Sequence, residues 1–128
     1  MTWIEDIGAY LQTNGIGTLD TNIFYQGFDS IAANCITLFD QTGLESKSTL
    51  GKGMILRRPE LGVRVRNASD ATAQTNADSI YNLLHLKINT VIGSTRFKRI
   101  SGIAEPFFVS RDPNNNYIYS INFRLEIG

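Results

Sequence analysis

A six-residue run in the middle of the chain, Leu61-Gly62-Val63-Arg64-Val65-Arg66, places a branched apolar residue at every second position. Successive side chains of a β-strand point to opposite faces, so this alternation predicts a strand with one buried face and one polar face. Arg64 and Arg66 then lie side by side on the polar face. We expect that face either to be solvated or to pair with an acidic surface of a neighbouring subunit.

Two segments have the apolar periodicity and the end signals of α-helices. The first begins at Thr2 and Glu5, which match a capping box, and ends at an Asn-Gly pair. The second begins with a capping residue, Ser69 or Asp70, and ends near His85 to Lys87. Its apolar stripe includes alanines that let the helix approach a sheet closely, and it consists of Ala73, Ala77, Ile80, Tyr81 and Leu84.

The rest of the chain is rich in β-branched and aromatic residues, which are typical of strands. These segments are residues 22–28, 34–39, 96–100, 103–110 and 117–125. The Asp-Pro-Asn-Asn-Asn sequence at 112–116 predicts a turn that joins the last two strands as a hairpin. The order α-β-β-β-α-β-β-β predicts one α+β domain over residues 1–128, with two helices packed on a largely antiparallel or mixed sheet of about six strands.

Residues 40–60 break this pattern, because they contain three glycines and one proline and follow no sustained period. They predict mostly loop, and a loop of this length in a compact domain is usually functional or disordered. Its apolar segment, Met54–Leu56, either packs against the core or orders against a partner. The candidate interface residues in and beside this loop are Lys47, Lys52, Met54, Ile55, Leu56, Arg57, Arg58, Arg64 and Arg66.

Charge is unevenly distributed along the chain, although 12 basic and 12 acidic residues give a net charge of zero. Residues 1–46 carry six acidic and no basic residues, whereas residues 47–99 carry ten basic and three acidic residues. Either the fold brings the two segments together within one molecule, or the acidic face of one subunit meets the basic face of the next, as in a head-to-tail ring. A nucleic-acid-binding domain usually has a clearly basic total.

The sequence contains no constellation typical of a catalytic, metal or cofactor site. Metal sites need several converging ligands, and the chain has one histidine, His85, and one cysteine, Cys35. We expect Cys35 to be an inert core thiol and His85 to pack at a helix end. Gly51-Lys52-Gly53 lacks the flanking strand and helix of a phosphate-binding loop.

No apolar stretch approaches the ~20 residues of a membrane-spanning helix. The first ten residues lack the basic and apolar regions of a signal peptide, and a single cysteine fits a reducing compartment. We therefore expect a soluble protein made in the cytoplasm.

The order of several segments resembles a known family. An N-terminal helix is followed by a strand reading NIFYQGF, by residues 61–67 leading into an alanine-rich helix, and by EPFFVSRD, an Asn-rich turn and YSINF. Together, over roughly residues 20–125, they resemble the minor capsid or tail-terminator-like proteins of long-tailed bacteriophages.

The resemblance implies an assembly protein of the virion tail and neck, built in the host cytoplasm, with no catalytic residues and no cofactor. Tail terminators form a hexameric ring on the finished tail tube, stop its polymerisation and present a surface to the head-to-tail connector. Phage DNA passes through such a ring without sequence-specific binding. We expect the basic residues of 47–66 to meet acidic residues of the first 46 in the next subunit.

Two alternative functions stay open from the sequence. Another neck component, such as a head-closure, adaptor or minor capsid protein, would have the same composition. A small nucleic-acid-binding module would need an exposed aromatic and basic face, for which Phe97, between Arg96 and Lys98-Arg99, is the one candidate.

Overall fold

The computed structural model describes residues 2–19, 21–26, 34–48 and 55–128, with the backbone alone at 42–48, 55 and 56. Within these ranges the chain forms two helices and seven strands. In chain order they are α1 (Trp3–Thr13), β1 (Ile23–Tyr25), β2 (Cys35–Ser48), β3 (Ile55–Asn67), α2 (Asp70–Leu84), β4 (Lys87–Ile92), β5 (Thr95–Gly102), β6 (Phe107–Arg111) and β7 (Tyr117–Ile127). The expected α+β class with two helices is confirmed.

The strands form one mixed sheet in the order β1-β2-β3-β7-β5-β4. Strand β1 runs parallel to β2, and the other pairs are antiparallel. Strand β6 lies off this path and pairs with β7, on the side where β5 also pairs with β7. Strands β5 and β6 therefore form one interrupted line along β7.

The hydrophobic core lies between the two helices and one face of the sheet. The alternating residues Leu61, Val63 and Val65 of β3 are fully buried on this face, as the sequence predicts. Helix α2 contributes the predicted stripe, of which Tyr81 is partly exposed and the other members are fully buried. Burial of these side chains is the main favourable contribution to folding.

The predicted end signals of both helices are confirmed. The Thr2 N–H donates to Glu5 Oε1 at 3.0 Å, and the Glu5 N–H donates to the Thr2 hydroxyl. The same Thr2 N–H is the main reason why the pKa of Glu5 is lowered. Helix α1 ends at Asn14, followed by Gly15 with a φ of +75°. Ser69 caps α2 by accepting a hydrogen bond from the Thr72 N–H.

The prediction of a loop over residues 40–60 is wrong for most of this segment. Strand β2 continues to Ser48 and β3 begins at Ile55, so the two strands form a long hairpin. The pairing register shifts between Gln41 and Leu44 and again between Leu44 and Lys47. Each shift breaks the two-residue alternation by which a strand is recognised in a sequence. Pro59 lies between paired rows of β3, where no ladder hydrogen bond is required of it.

Strand β4 was not predicted, and it raises the number of strands from about six to seven. Two residues beside or within it, Leu86 and Asn89, have φ angles of +60° and +48°. These left-handed residues interrupt the alternation, so residues 87–92 have no clean strand pattern. The first predicted strand, over residues 22–28, forms at Ile23–Tyr25, and its last two residues lie outside the described ranges.

The predicted C-terminal hairpin is confirmed. Strands β6 and β7 pair from Phe107 opposite Ser120 to Arg111 opposite Tyr117. In the turn, the Asp112 carboxylate accepts hydrogen bonds from the N–H groups of Asn114 and Asn116, each at 2.9 Å. Asn115 adopts a φ of +64°, which asparagine tolerates better than most residues.

Candidate assembly interface

The β2–β3 hairpin extends beyond the neighbouring strand. Pairing between β3 and β7 begins at Arg57 opposite Ile127, whereas β2 and β3 already pair at Ser48 opposite Ile55 and Lys47 opposite Leu56. The two residues of β3 before Arg57 therefore have no ladder partner but β2 among the described residues. We call residues 44–48 and 55–57 the β2–β3 arm. This arm is available for contact with another molecule.

The sequence-predicted interface residues fall into three groups. Lys52 and Met54 lie outside the described residues. Lys47, Ile55 and Leu56 belong to the arm by their backbone pairing. Arg57 is exposed and Arg58 is half-buried, while Arg64 and Arg66 lie farther along β3. The basic residues are therefore spread along most of β3 and do not form one compact patch.

Arg64 and Arg66 share the sheet face opposite the helices, as predicted. Arg64 lies in a row between Thr37 of β2 and Ser120 of β7, both of which are buried. Its guanidinium is 5.9 Å from the centre of the Phe39 ring. Arginine stems cover neighbouring groups in this way while the charged end reaches toward solvent. This face is thus partly covered by its own long side chains.

Arg66 forms an ion pair within the same chain. Its Nη1 lies 3.6 Å from Asp112 Oδ2, and the two side chains are 11% and 10% exposed. The pKa of Asp112 is lowered, mainly by the N–H of Asn116 and further by the Asn116 amide, the Asn114 N–H and Arg66. Arg66 therefore fastens the β6–β7 turn to β3. In the same hairpin, the Arg111 guanidinium lies 4.6 Å from the centre of the Tyr117 ring.

Acidic and basic segments of the sequence meet at one end of the sheet. A cavity of about 670 Å³ is lined there by Asp40, Arg57 and Arg96, together with the start of α1 and the C-terminal residues Ile127 and Gly128. Asp40 comes from the acidic first block, and both arginines come from the basic middle block. The fold thus brings part of the separated charge together within one molecule.

A buried carboxylate fastens α1 to the β4–β5 turn. Asp6 is 1% exposed, and its Oδ2 accepts hydrogen bonds from the hydroxyls of Ser94 and Thr95. Gly93 precedes them with a φ of +62°, and a Cβ there would overlap the Asp6 carboxylate. This contact could not be predicted from local sequence patterns, since the partners are nearly ninety residues apart.

The two residues with reactive side chains have structural positions, as expected. Cys35 is buried. His85 caps the end of α2, stacks on Tyr81 with ring centres 4.6 Å apart, and accepts a hydrogen bond from the Gly102 N–H at its Nδ1. In the part of the chain that the structure describes, no group of metal-ligating side chains comes together. Among the described helices, none is long and apolar enough to cross a membrane.

The candidate nucleic-acid face is not formed. Phe97, its one aromatic residue, is fully buried in the core, whereas Arg96 and Arg99 are exposed. An aromatic ring must reach the surface to stack on a base. The nucleic-acid alternative therefore loses its one candidate face. The register shift between Phe97 and Arg99 places Phe97 and Ile100 together on the core face.

One exposed apolar surface was missed in the sequence analysis. Strand β6 is exposed along its whole length and contains Phe107, Phe108 and Val109. The sequence predicted a strand over residues 103–110, in which Pro106 fits an edge or a bulge. It did not show that these apolar side chains remain on the surface.

Comparisons with known proteins identify the family. A family model described as "Bacteriophage tail terminator protein" matches residues 10–127. No curated protein sequence matches the chain significantly. A solved chain from "Virion of native gene transfer agent (GTA) particle" is similar in fold, with a TM-score of 0.65 and 12% sequence identity over 99% of this chain and 98% of that one. A second solved chain matches with a TM-score of 0.57 and 9% identity over 97% of this chain and 89% of that one. At these identities the likeness concerns the fold, whereas the family model covers nearly the whole sequence. The chain belongs to the bacteriophage tail terminator family, whose members are structural proteins of the phage tail.

Proposed function

We propose that this protein forms the ring that caps the finished tail tube, stops tube polymerisation and joins the tail to the head connector. The observation that carries the proposal is the family match over residues 10–127. In this function the partners are further copies of the chain, closing into a hexameric ring, the last ring of tail tube protein, and the connector or head-closure protein. Phage DNA passes through the ring without sequence-specific contacts.

Electron microscopy of phage lysates in which this gene alone is inactivated tests the proposal. Overlong tails beside full, unattached heads are the expected result, because tube polymerisation then lacks its stop. Tails of normal length with leaking heads would instead assign the protein to the head side of the neck, as a head-closure or adaptor protein. Normal infectious particles would contradict both assignments.

We further propose that the β2–β3 arm carries the basic contact to the next subunit, at acidic residues within its first 46. Arg57 is the residue best placed for this contact, because it is exposed and directly follows the two residues of β3 that reach past β7. Charge reversal at Arg66 cannot isolate the contact between subunits, since it would also break the ion pair with Asp112. Lys47, Ile55 and Leu56 lie on the arm by their backbone pairing.

Charge reversal on the arm tests this contact. Attraction between exposed charges is screened over about 8 Å at physiological salt, so wild-type ring formation should weaken as salt is added. Arg57→Glu should weaken ring formation in sedimentation velocity and make it less sensitive to salt. Arg124→Glu, a reversal at another exposed position, on β7, is the control. Equal ring formation by the wild type and Arg57→Glu would contradict the arm contact and leave the tail-length test unaffected.

A further inference from the structure

We propose that the open edge of β6 binds a second copy of this chain. This surface is separate from the β2–β3 arm, and the inference deepens the proposed ring function, on which it rests. The strand's own residues, Phe107–Arg111, form the centre of the surface. Ile103, four residues before the strand, extends it.

The geometry of the sheet leaves this edge without a neighbour. Strands β5 and β6 follow one another along β7, joined by the hydrogen bond from the Ile103 N–H to the Asn122 carbonyl at 2.8 Å. On the other side of this line, β4 pairs with residues 95–100 only. Among the described residues, β6 pairs with β7 alone. A strand from another molecule can therefore add beside β6, as strands do at open sheet edges.

The side chains of β6 are those of an interface. Phe107, Phe108 and Val109 are 47%, 49% and 39% exposed, and Ile103 is 46% exposed. Phe108 remains half-exposed although it packs on Tyr119 with the ring centres 5.6 Å apart. Edge strands that stay unpaired usually carry charges, and β6 carries a single one, Arg111 at its end, after four uncharged residues.

The exposed apolar residues supply part of the area that a stable contact needs. The four of them expose roughly 350 Å², against about 800 Å² that each partner contributes to a standard interface. Successive residues of a strand point to opposite faces, so Phe107 and Phe108 flank the open edge from the two sides of the sheet. Leu86 and Ile88, which are 57% and 59% exposed, add apolar surface at the start of β4. An added strand would cover side chains on both faces together with the backbone groups of the edge.

The chemistry of this surface favours a second copy over a different protein. The chain has a net charge of zero, so copies do not repel one another through their total charge. The surface is apolar and aromatic, as in interfaces between identical subunits, which are more apolar than transient contacts. The arm, by contrast, carries the basic residues Lys47 and Arg57 with one acidic residue, Glu45.

Site-specific photocrosslinking of the full chain identifies the occupant. A photoreactive phenylalanine analogue replaces Phe107 in one version, and Val91 in the control version. Val91 is 61% exposed and lies at the far end of β4, so it is an apolar edge residue outside the surface. The expected result is a covalent dimer of this chain that forms severalfold more from position 107 than from position 91. Equal yields, no dimer, or crosslinks from 107 only to another virion protein would overturn the proposal.

A second pair of variants measures the contribution of the surface to association. Phe107→Lys combined with Val109→Lys should raise the concentration of half-association at least tenfold in sedimentation velocity, because two lysines would be buried against apolar partners. Val91→Lys should leave it within twofold of the wild type. Far-UV circular dichroism and thermal unfolding at matched concentration check that both variants fold. If the double variant associates like the wild type, the surface does not bind a second copy.

The outcome is independent of the test of the proposed function. Tail length in lysates reports whether the protein stops tube growth, and the crosslink reports whether β6 meets another copy. Overlong tails after gene inactivation together with no self-crosslink at Phe107 would retain the terminator function and reject this surface. A self-crosslink with tails of normal length would retain the surface and reject the terminator function.

Discussion

Helix α2 packs closely on the sheet through two alanines, and enlarging one of them tests this packing. Ala77 is fully buried on the face that meets the sheet. Ala77→Leu adds three carbon atoms where no space exists, so the helix must move outward or its neighbours must leave their preferred rotamers. Such overpacking typically costs about 1–3 kcal/mol of unfolding free energy.

The expected fall in Tm follows from the size of the chain. With an unfolding entropy of about 2.1 cal/mol/K per residue, the 128 residues give a fall of roughly 4–11 °C. The matched control is Asn82→Leu, which adds leucine at an exposed position of the same helix and should change Tm by no more than about 2 °C. Both variants are compared with the wild type by thermal and urea unfolding at one protein concentration, because association shifts Tm.

A second readout separates helix displacement from a general loss of stability. Asp70 at the start of α2 accepts a hydrogen bond of 2.7 Å from the Tyr119 hydroxyl, which ties the helix to β7. Outward movement of α2 should lengthen this bond and lower the pKa of Tyr119 toward its ordinary value. If Ala77→Leu is as stable as Asn82→Leu and leaves the Tyr119 titration unchanged, the reasoning about close packing is refuted.

Three other outcomes are expected. The turn amides lower the pKa of Asp112, so its contribution to stability is present above the ordinary pKa of about 3.9 and is lost as pH falls through the lowered value. Asp112→Asn should therefore flatten the acid-side slope of unfolding free energy against pH, measured by urea unfolding. An unchanged slope would contradict this reasoning. The hydrogen bond to Asp70 raises the pKa of Tyr119, so its contribution to stability is present below about pH 10 and is lost as pH rises through the raised value. The Tm of Tyr119→Phe should therefore fall less than that of the wild type between about pH 9 and 11. Parallel curves of Tm against pH would count against this. In an open helix, a glycine-to-alanine change stabilises the helix by about 1 kcal/mol. Gly8→Ala should instead lower Tm, because the new Cβ meets the Tyr25 hydroxyl. The same change in a Tyr25→Phe chain should lower Tm less, and an equal fall would show that the hydroxyl is not the obstacle.

The parts of the fold that could be predicted are those in which local and long-range signals agree. The capping box of Thr2 and Glu5, the alternation of residues 61–66 and the turn at 112–116 each specify one local geometry. In each case the folded structure keeps the geometry that the local sequence specifies. Such local signals fix an element before its tertiary partners are known.

The parts that could not be predicted depend on tertiary pairing. Bulges in β2 and the left-handed residues Leu86 and Asn89 remove the alternation, so the arm and strand β4 are recognisable only by their partner strands. The burial of Phe97 depends on a register shift in β5, and one slipped residue exchanges the two faces of a strand. The exposed surface at β6 could not be predicted at all, because its exposure depends on the residue at which β4 stops pairing with β5.

The two proposed contact surfaces lie at opposite ends of β7, and this separation bears on the symmetry of assembly. The arm begins beside Ile127, whereas β6 pairs with residues 117–120. An 11-residue strand is about 35 Å long, so one neighbour cannot cover both surfaces with a single small patch. A two-fold dimer uses the same patch on both copies, whereas a ring joins two unlike patches on each subunit. If both proposed contacts form, each subunit must present a separate partner patch for each of them. The unlike interfaces of a closed ring provide such pairs of different patches on every subunit.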